Sequence, residues 1–232
     1  MAGWNKKDSS PFSLGAIAAA SVGAVMGLRA LRREQVSFEG RTVLLTGGSR
    51  GLGLVLARQF AREGARLVLC AREEVELARA RNELEAAGAE VLALPCDVRD
   101  RVQVEAMVAQ VHERFGAVDV LVNNAGLIQV GPLESMTEED FAEAMDVHFW
   151  GPLYTTLAVL PEMKLRGWGR IVNVSSIAGR VSVPHLLPYS ASKFALVGLS
   201  DGLRSELAQD GILVTTVCPG LMRTGSPPNA FF

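Results

Sequence analysis

A short apolar segment, a glycine-rich turn and a helical pattern follow one another directly in the first half of the chain. The apolar segment is Thr42–Thr46, the turn spans Gly47–Gly53 with the sequence GGSRGLG, and the helical pattern runs over Leu54–Glu63. Glycines at such a turn allow a ligand to approach the backbone closely, and a helix N-terminus attracts anions. The unit therefore predicts a phosphate-binding strand–turn–helix. Its spacing differs from the usual Gly-x-Gly-x-x-Gly, so an ordinary glycine-rich turn is the alternative.

Apolar segments and helical patterns alternate along the rest of the chain. Further strands are predicted at Ala65–Cys70, Glu90–Leu94, Val118–Val122, Arg170–Val174 and Leu213–Val217. Helices are predicted at Arg72–Ala87, Arg101–Phe115, Glu138–Leu165 with a break near Gly151, and Tyr189–Gln209. This alternation predicts an α/β fold, a doubly wound (Rossmann-type) parallel sheet with helices on both faces, in a single domain over residues 40–232.

Composition narrows the class of function. The chain has 232 residues, is 49% hydrophobic and carries a net charge of −2, so it offers no basic stripe for nucleic acid. Its cysteines, Cys70, Cys96 and Cys218, are odd in number and lack the spacing of metal ligands. We therefore predict reduced thiols, no metal site and no nucleic-acid partner.

Tyr189 and Lys193 lie four residues apart in a predicted helix, so they share one face. An ammonium group beside a phenol favours the phenolate and lowers a pKa that is otherwise about 10. The pair therefore predicts a general acid/base that works near neutral pH.

The end of the second predicted strand bears on which nucleotide would bind. A nucleotide-binding unit that prefers NAD has an acidic residue here for the ribose hydroxyl, whereas a nearby arginine accommodates a 2′-phosphate. This chain has Arg72 at that point, and Arg50 in the glycine turn supplies a second positive charge. The combination favours NADP(H). Alternatively, Arg72 merely begins a solvated helix.

With these residues in view, the chain from about Gly40 onward resembles the short-chain dehydrogenase/reductase family. The resemblance is carried by motifs in the family's order: Thr46-Gly-x-x-x-Gly-x-Gly53, Asp97-Val98, Asn123-Asn-Ala-Gly126, Ser176, Tyr189-x-x-x-Lys193 and Pro219-Gly-x-x-x-Thr224.

The resemblance implies an NADP(H)-dependent oxidoreductase that acts on a carbonyl/alcohol pair. Tyr189 would exchange a proton with the substrate oxygen, Lys193 would lower the pKa of Tyr189 and hold the nicotinamide ribose, and Ser176 would hydrogen-bond the carbonyl oxygen. The family's pattern implies these further cofactor contacts: Gly47, Ser49, Arg50, Gly51, Leu52 and Gly53 at the phosphates, Asp97 and Val98 at the adenine, Asn124 and Ala125 at the adjoining ribose, and Met222 and Thr224 along the nicotinamide and pyrophosphate.

His148 is a departure from the family's pattern, which usually has asparagine at this position. That asparagine helps to hold a water in a proton relay from the lysine. Histidine can also carry protons near neutral pH, so one interpretation is a relay in altered form in which His148 is catalytic. The other is a helix-kink position that tolerates a histidine whose side chain is satisfied.

The N-terminal segment, residues 1–39, contains an uncharged stretch over Ser9–Leu28. Its length is close to the roughly 20 residues that cross a bilayer, but alanine, glycine and serine dominate it. A membrane anchor, a cleaved signal peptide and a soluble extension remain alternative interpretations. For an anchor, Arg29, Arg32 and Arg33 favour a cytoplasmic catalytic domain.

The sequence stops at Phe232, shortly after Thr224. Family members normally continue with helices that cover the substrate and a last strand, so we expect either a fragment or a reduced lid, and a homo-oligomer if the chain is complete. A small, lipophilic carbonyl or alcohol substrate is expected from the apolar residues Leu127, Val183, Leu186 and Leu221. The alternative function is a non-catalytic nucleotide-binding or membrane-associated partner protein of the same fold.

Overall fold

A parallel β-sheet lies at the centre of the computed structural model, which describes residues 36–222. Its six strands in this range are β1 (Thr42–Thr46), β2 (Arg66–Ala71), β3 (Val91–Pro95), β4 (Val120–Asn123), β5 (Gly169–Val174) and β6 (Ile212–Val217). They are ordered β3-β2-β1-β4-β5-β6, and every neighbouring pair is parallel. The strand order reverses between β1 and β4, which is where doubly wound sheets bind ligands. The predicted fold class is confirmed.

Helices connect the strands and cover both faces of the sheet. They are α1 (Gly51–Arg62), α2 (Glu74–Ala86), α3 (Arg101–Phe115), α4 (Glu138–Met145), α5 (Gly151–Arg166) and α6 (Leu187–Leu207). A π-helical turn, Asp146–Trp150, joins α4 to α5, so the predicted break lies just before Gly151. A capping box formed by Thr137 and Asp140 marks the start of α4.

Alternating residues of the strands feed two hydrophobic cores. On one face, Val43 and Leu45 of β1 pack with Leu54 of α1 and Leu77 of α2. On the other face, Leu44 belongs to a core that residues of α3, α5 and α6 complete. Because β1 and β4 are buried on both faces, they are continuous apolar segments rather than alternating ones.

Some predictions fall outside the described residues. Ser9–Leu28 and Thr224 belong to the parts of the chain that the structure does not describe, and the division into residues 1–39 and 40–232 stays a prediction. Between residues 36 and 222, no helix is both long enough and apolar enough to cross a membrane.

Candidate active site

Ser176, Tyr189 and Lys193 meet at the carboxyl end of β5. Ser176 follows this strand after one residue and accepts a hydrogen bond from the Ala178 backbone N–H, at 3.1 Å, within a short 3₁₀ turn. Tyr189 and Lys193 lie in the first two turns of α6, which begins with Leu187 and Pro188. Proline fits a helix start because its missing N–H would have no partner there. Because the helix begins at Leu187, Tyr189 and Lys193 lie on its first two turns, next to Ser176.

Lys193 is buried, with 4% of its surface exposed, and its Nζ donates a hydrogen bond to the Val174 carbonyl at 2.9 Å. The same Nζ lies 5.7 Å from the centroid of the Tyr189 ring. Burial lowers the pKa of Lys193 from 10.5 to about 7, and the charge of Cys218 opposes this shift only in part. The amine is thus able to gain or lose a proton near neutral pH.

The pKa of Tyr189 is raised above its ordinary value in this structure. Burial raises it because a phenolate is poorly solvated there, and a side-chain hydrogen bond with Ser176 acts in the opposite direction. The net direction is opposite to the lowering expected from Lys193, because burial outweighs the other contributions. The hydrogen bond brings two hydroxyl groups together where one substrate oxygen could accept from both.

The glycine turn after β1 leaves no room for side chains on its inner side. Gly47 has φ +64°, and a Cβ on Gly53 would lie 2.0 Å from the Gly47 carbonyl oxygen and 2.7 Å from Asn124 Nδ2. The N-terminus of α1 has no side-chain cap and no acidic residue in its first turn. A close-packed backbone that leads into an uncapped helix N-terminus fits a dinucleotide pyrophosphate.

The segment after β4 is tied to this turn by hydrogen bonds. Thr46 Oγ1 accepts from the backbone N–H groups of Asn124 and Ala125, at 2.9 and 3.0 Å. Asn124 Nδ2 donates to the carbonyls of Thr46 and Gly47, at 3.0 and 3.2 Å. The predicted phosphate and ribose residues are therefore held as one unit at the switch point. The sequence motif includes Thr46, but the motif alone does not predict this role.

The residues predicted for the adenosine end lie after β2 and β3. Arg72 is exposed directly after β2, and Val98 is buried beyond β3. Burial favours a higher pKa for Asp97, but hydrogen bonds from Arg99 and the charges of Arg99 and Arg72 outweigh it, so the pKa is lowered. Asp97 is therefore an anion engaged by Arg99, with an Oδ2–NH2 distance of 2.7 Å.

Glu76 of α2 contacts the glycine turn, which the sequence did not predict. Its carboxylate lies 3.3 Å from Arg50 NH1 and accepts a hydrogen bond from Ser49 Oγ at 3.4 Å. Ser49 is buried, whereas the Arg50 side chain is 53% exposed. Arg50 thus already has an anionic partner, while it retains access to solvent.

His148 lies at the centre of the π-helical turn and is fully buried. Its Nε2 accepts from the Leu127 backbone N–H at 3.2 Å, and its Nδ1 lies 2.8 Å from Ser192 Oγ. The ring meets that of Tyr189 edge to face, with a centroid separation of 5.4 Å. Burial, and then the charge of Lys193, hold the pKa of His148 well below its ordinary 6.5. The side chain is thus satisfied at both nitrogens.

A buried polar network beneath the site was missed by sequence reasoning. Asn123 Nδ2 donates to Asn173 Oδ1 at 2.8 Å, and Asn173 Nδ2 donates to Ser200 Oγ at 2.8 Å. Thr155 Oγ1 donates to Asn123 Oδ1 at 2.6 Å. The network joins β4, β5, α5 and α6. The available signal was an asparagine near the end of each of two apolar strands, which the parallel register pairs directly.

Met222 is the last residue that the structure describes, and its nicotinamide contact stays a prediction.

Cys70, Cys96 and Cys218 all lie in the described range and form no disulfide. Within residues 36–222, no group of three or more histidine, cysteine, aspartate or glutamate side chains could hold a metal ion.

Comparisons with known proteins identify relatives of this fold. The ketoacyl reductase HetN of Nostoc sp. strain PCC 7120 is 40% identical over 181 residues, which cover 78% of this chain and 63% of that protein. A short-chain dehydrogenase/reductase from Burkholderia phymatum, solved in complex with NAD, is 34% identical to this chain and has a TM-score of 0.81. The match covers 84% of this chain and 70% of the Burkholderia chain.

A variant of the actinorhodin polyketide ketoreductase, solved with NADPH, is 43% identical to this chain and has a TM-score of 0.77. The match covers 79% of this chain and 71% of the ketoreductase chain. The chain thus spans between about three fifths and three quarters of these relatives. The family model described as short chain dehydrogenase matches residues 41–230. The sheet order, the glycine turn and the matched length together establish that the chain belongs to the short-chain dehydrogenase/reductase family.

Proposed function

We propose that the chain is an NADP(H)-dependent oxidoreductase that interconverts a carbonyl and an alcohol. The observation that carries the proposal is the meeting of Ser176, Tyr189 and Lys193 at the carboxyl end of β5, in a sheet whose switch point holds the glycine turn. Ketoacyl reductase and nicotinamide-bound relatives support the reaction class.

Within this proposal, each of the three side chains has a distinct task. A nicotinamide cofactor, when bound, supplies or accepts the hydride. Tyr189 donates its hydroxyl proton to the carbonyl oxygen during reduction and receives it back during oxidation. Ser176 donates a hydrogen bond to the same oxygen as negative charge develops there. Lys193, whose pKa is about 7, holds a proton that can replace the one leaving Tyr189.

The proposed preference for NADP(H) depends on Arg50 and Arg72. Both are exposed beyond the carboxyl ends of neighbouring strands, Arg50 after β1 and Arg72 after β2, and guanidinium groups suit phosphate. One relative was solved with NAD and another with NADPH, so the family alone leaves the nucleotide open. Glu76, paired with Arg50, would compete with a 2′-phosphate for that arginine.

Replacing Arg72 with glutamine should weaken the binding of NADPH without weakening the binding of NADH. We expect the KM for NADPH to rise about tenfold or more, because a charge-assisted hydrogen bond contributes about 1.5–3 kcal/mol. Steady-state kinetics with both nucleotides measures the change. The matched control is Arg58→Gln, which removes the ion pair between Arg58 of α1 and Glu83 of α2. Equal changes for the two nucleotides would contradict the 2′-phosphate role.

The proposed substrate is an apolar carbonyl compound of the ketoacyl class. Val181 and Val183 are exposed in the segment that leads into α6, Leu187 is exposed at the start of α6, and Leu221 is fully exposed. Val181, Val183 and Leu187 come shortly before Tyr189 in the sequence, and HetN and the actinorhodin enzyme are both named for ketoacyl or polyketide reduction. An N-terminal membrane anchor with a cytoplasmic catalytic domain, and a homo-oligomer, remain predictions from the sequence.

The proposal is tested by following NADPH oxidation with the full-length chain and a panel of carbonyl compounds. The panel should pair ketoacyl thioesters and aliphatic ketones of increasing length with polar ketones of matched size. We expect turnover that rises with apolar length. Nucleotide binding without turnover on any compound would favour the non-catalytic nucleotide-binding alternative. Absence of both nucleotide binding and turnover would contradict the oxidoreductase function and the nucleotide-binding alternative alike.

A further inference from the structure

The imidazole of His148 joins three separate parts of the described chain. It belongs to the π-helical turn between α4 and α5, and it bonds to the Leu127 backbone in the segment after β4. On its other side it bonds to Ser192, which directly precedes Lys193 in α6. Ser192 Oγ in turn donates to the Tyr189 carbonyl at 2.9 Å. Both His148 and Ser192 are fully buried.

These hydrogen bonds form a series that begins at the Leu127 N–H and ends at the Tyr189 carbonyl. The two backbone groups fix which atom donates in each bond. A backbone N–H can only donate, so Nε2 of His148 accepts from Leu127 and carries no proton. In a neutral imidazole the proton is then on Nδ1, which donates to Ser192 Oγ. The Ser192 hydroxyl uses its single proton on the Tyr189 carbonyl. The side chain is therefore the Nδ1–H tautomer.

This arrangement is incompatible with proton transport through the ring. A proton entering at Nε2 would have to displace the Leu127 N–H, and a proton leaving Nδ1 would break the bond to Ser192. Burial and Lys193 also disfavour the charged imidazolium, as the direction of the pKa of His148 indicates. Of the two interpretations of the sequence, the geometry supports a satisfied side chain at a kink.

We propose that His148 is a positioning residue whose neutral Nδ1–H imidazole fixes the start of α6, and with it Tyr189 and Lys193, against the backbone at Leu127. Its effect on turnover rests on the proposed oxidoreductase function, whereas the hydrogen-bonded tie does not. An imidazole suits the task because its two nitrogens face opposite directions. An asparagine side chain is shorter than an imidazole, and to replace it an amide would have to bridge the Leu127 N–H and Ser192 Oγ from the same backbone position.

Nitrogen-15 and proton NMR of histidine-labelled full-length chain tests the tie without any substrate. We expect a slowly exchanging Nδ1–H signal for one histidine that does not titrate between about pH 6 and about pH 8. The other histidines, His112 and His185, are exposed and serve as internal references. An Nε2–H tautomer, or titration of His148 in this range, would overturn the proposal.

Kinetics of His148→Asn and Ser192→Ala then test positioning. We expect each to lower kcat by between about 10- and 100-fold, because displacement of catalytic groups by about 1 Å has an effect of this order. The KM for NADPH should change less than about threefold, and the pH profile of kcat should keep its midpoints. Combining the two substitutions should lower kcat by less than the product of the single effects, because they break one chain of bonds.

The control is His112→Asn, since His112 is an exposed residue of α3 that contacts Glu162. Its kcat should equal that of the unmodified chain. If His148→Asn fails to fold, Ser192→Ala carries the test, because it removes the same tie and leaves the imidazole in place. Unchanged or increased kcat, or a pH profile with a shifted midpoint, would refute positioning. Absence of turnover in the unmodified chain alongside the expected NMR signal would refute only the proposed function.

Discussion

Replacing Tyr189 with phenylalanine should lower kcat by about three orders of magnitude while nucleotide binding stays within about threefold. General acid/base groups contribute about 10²- to 10⁴-fold, and this substitution removes only the hydroxyl that transfers the proton. The ring, which packs edge to face on His148, is retained. The measurements are NADPH oxidation under saturating substrate and nucleotide affinity by fluorescence titration.

The chain provides its own control for this variant. It contains two tyrosines, and the other, Tyr154, lies on α5 with its ring stacked on Trp150. Tyr154→Phe should leave kcat unchanged. Undiminished turnover in Tyr189→Phe would show that another group supplies the proton, and parallel losses in both variants would point to a general effect on folding.

Replacing Lys193 with methionine should abolish turnover and yet stabilise the fold at pH 7. A shift of the lysine pKa from 10.5 to about 7 corresponds to roughly 5 kcal/mol of unfavourable burial of the charged amine. Removing the amine also leaves the Val174 carbonyl without its donor, which costs about 1–3 kcal/mol. We expect a net increase of about 2–4 kcal/mol in the free energy of unfolding, measured by urea denaturation.

The gain should depend on pH in a defined direction. The unfolded lysine keeps its proton up to 10.5, whereas the folded lysine loses it at about 7, so the unfolded chain binds more protons between these values. The unmodified chain therefore gains stability as pH rises above about 7, and the advantage of Lys193→Met is largest below that pH and declines above it. Lys164→Met, which removes an exposed ion pair with Asp210, should show no such trend. A destabilised Lys193→Met at pH 7 would contradict the expectation.

Local signals in the sequence were enough to predict two elements, β1 and α3, to the residue. β1 has the predicted bounds, and α3 runs from Arg101 to Phe115 as expected. The ends of α3 are determined locally, because Asp100 caps its first turn through Val102 and Gln103 and Gly116 follows it with φ +74°. By contrast, α2 begins at Glu74 rather than at Arg72, and no side-chain cap marks its start.

Features that depend on contacts distant in sequence were not predictable in the same way. The motif gives the identity of Tyr189 and Lys193, but the direction of the Tyr189 pKa depends on burial, which only the folded chain determines. The pairing of Asn123 with Asn173 requires the register of β4 and β5. The bond between His148 and Ser192 joins residues in different helical segments, so the sequence left two interpretations of His148 open.

The π-helical turn Asp146–Trp150 also limits which insertions and deletions this gene could tolerate. Each residue of an α-helix turns the chain by about 100°, so losing one residue here would rotate all of α5 about its axis. Thr155 would leave Asn123, and Val159 and Met163 would leave the core that they now fill. Length variation among natural relatives is therefore expected in the surface segment around Gly131–Met136 rather than in this turn, although both lie between β4 and β5.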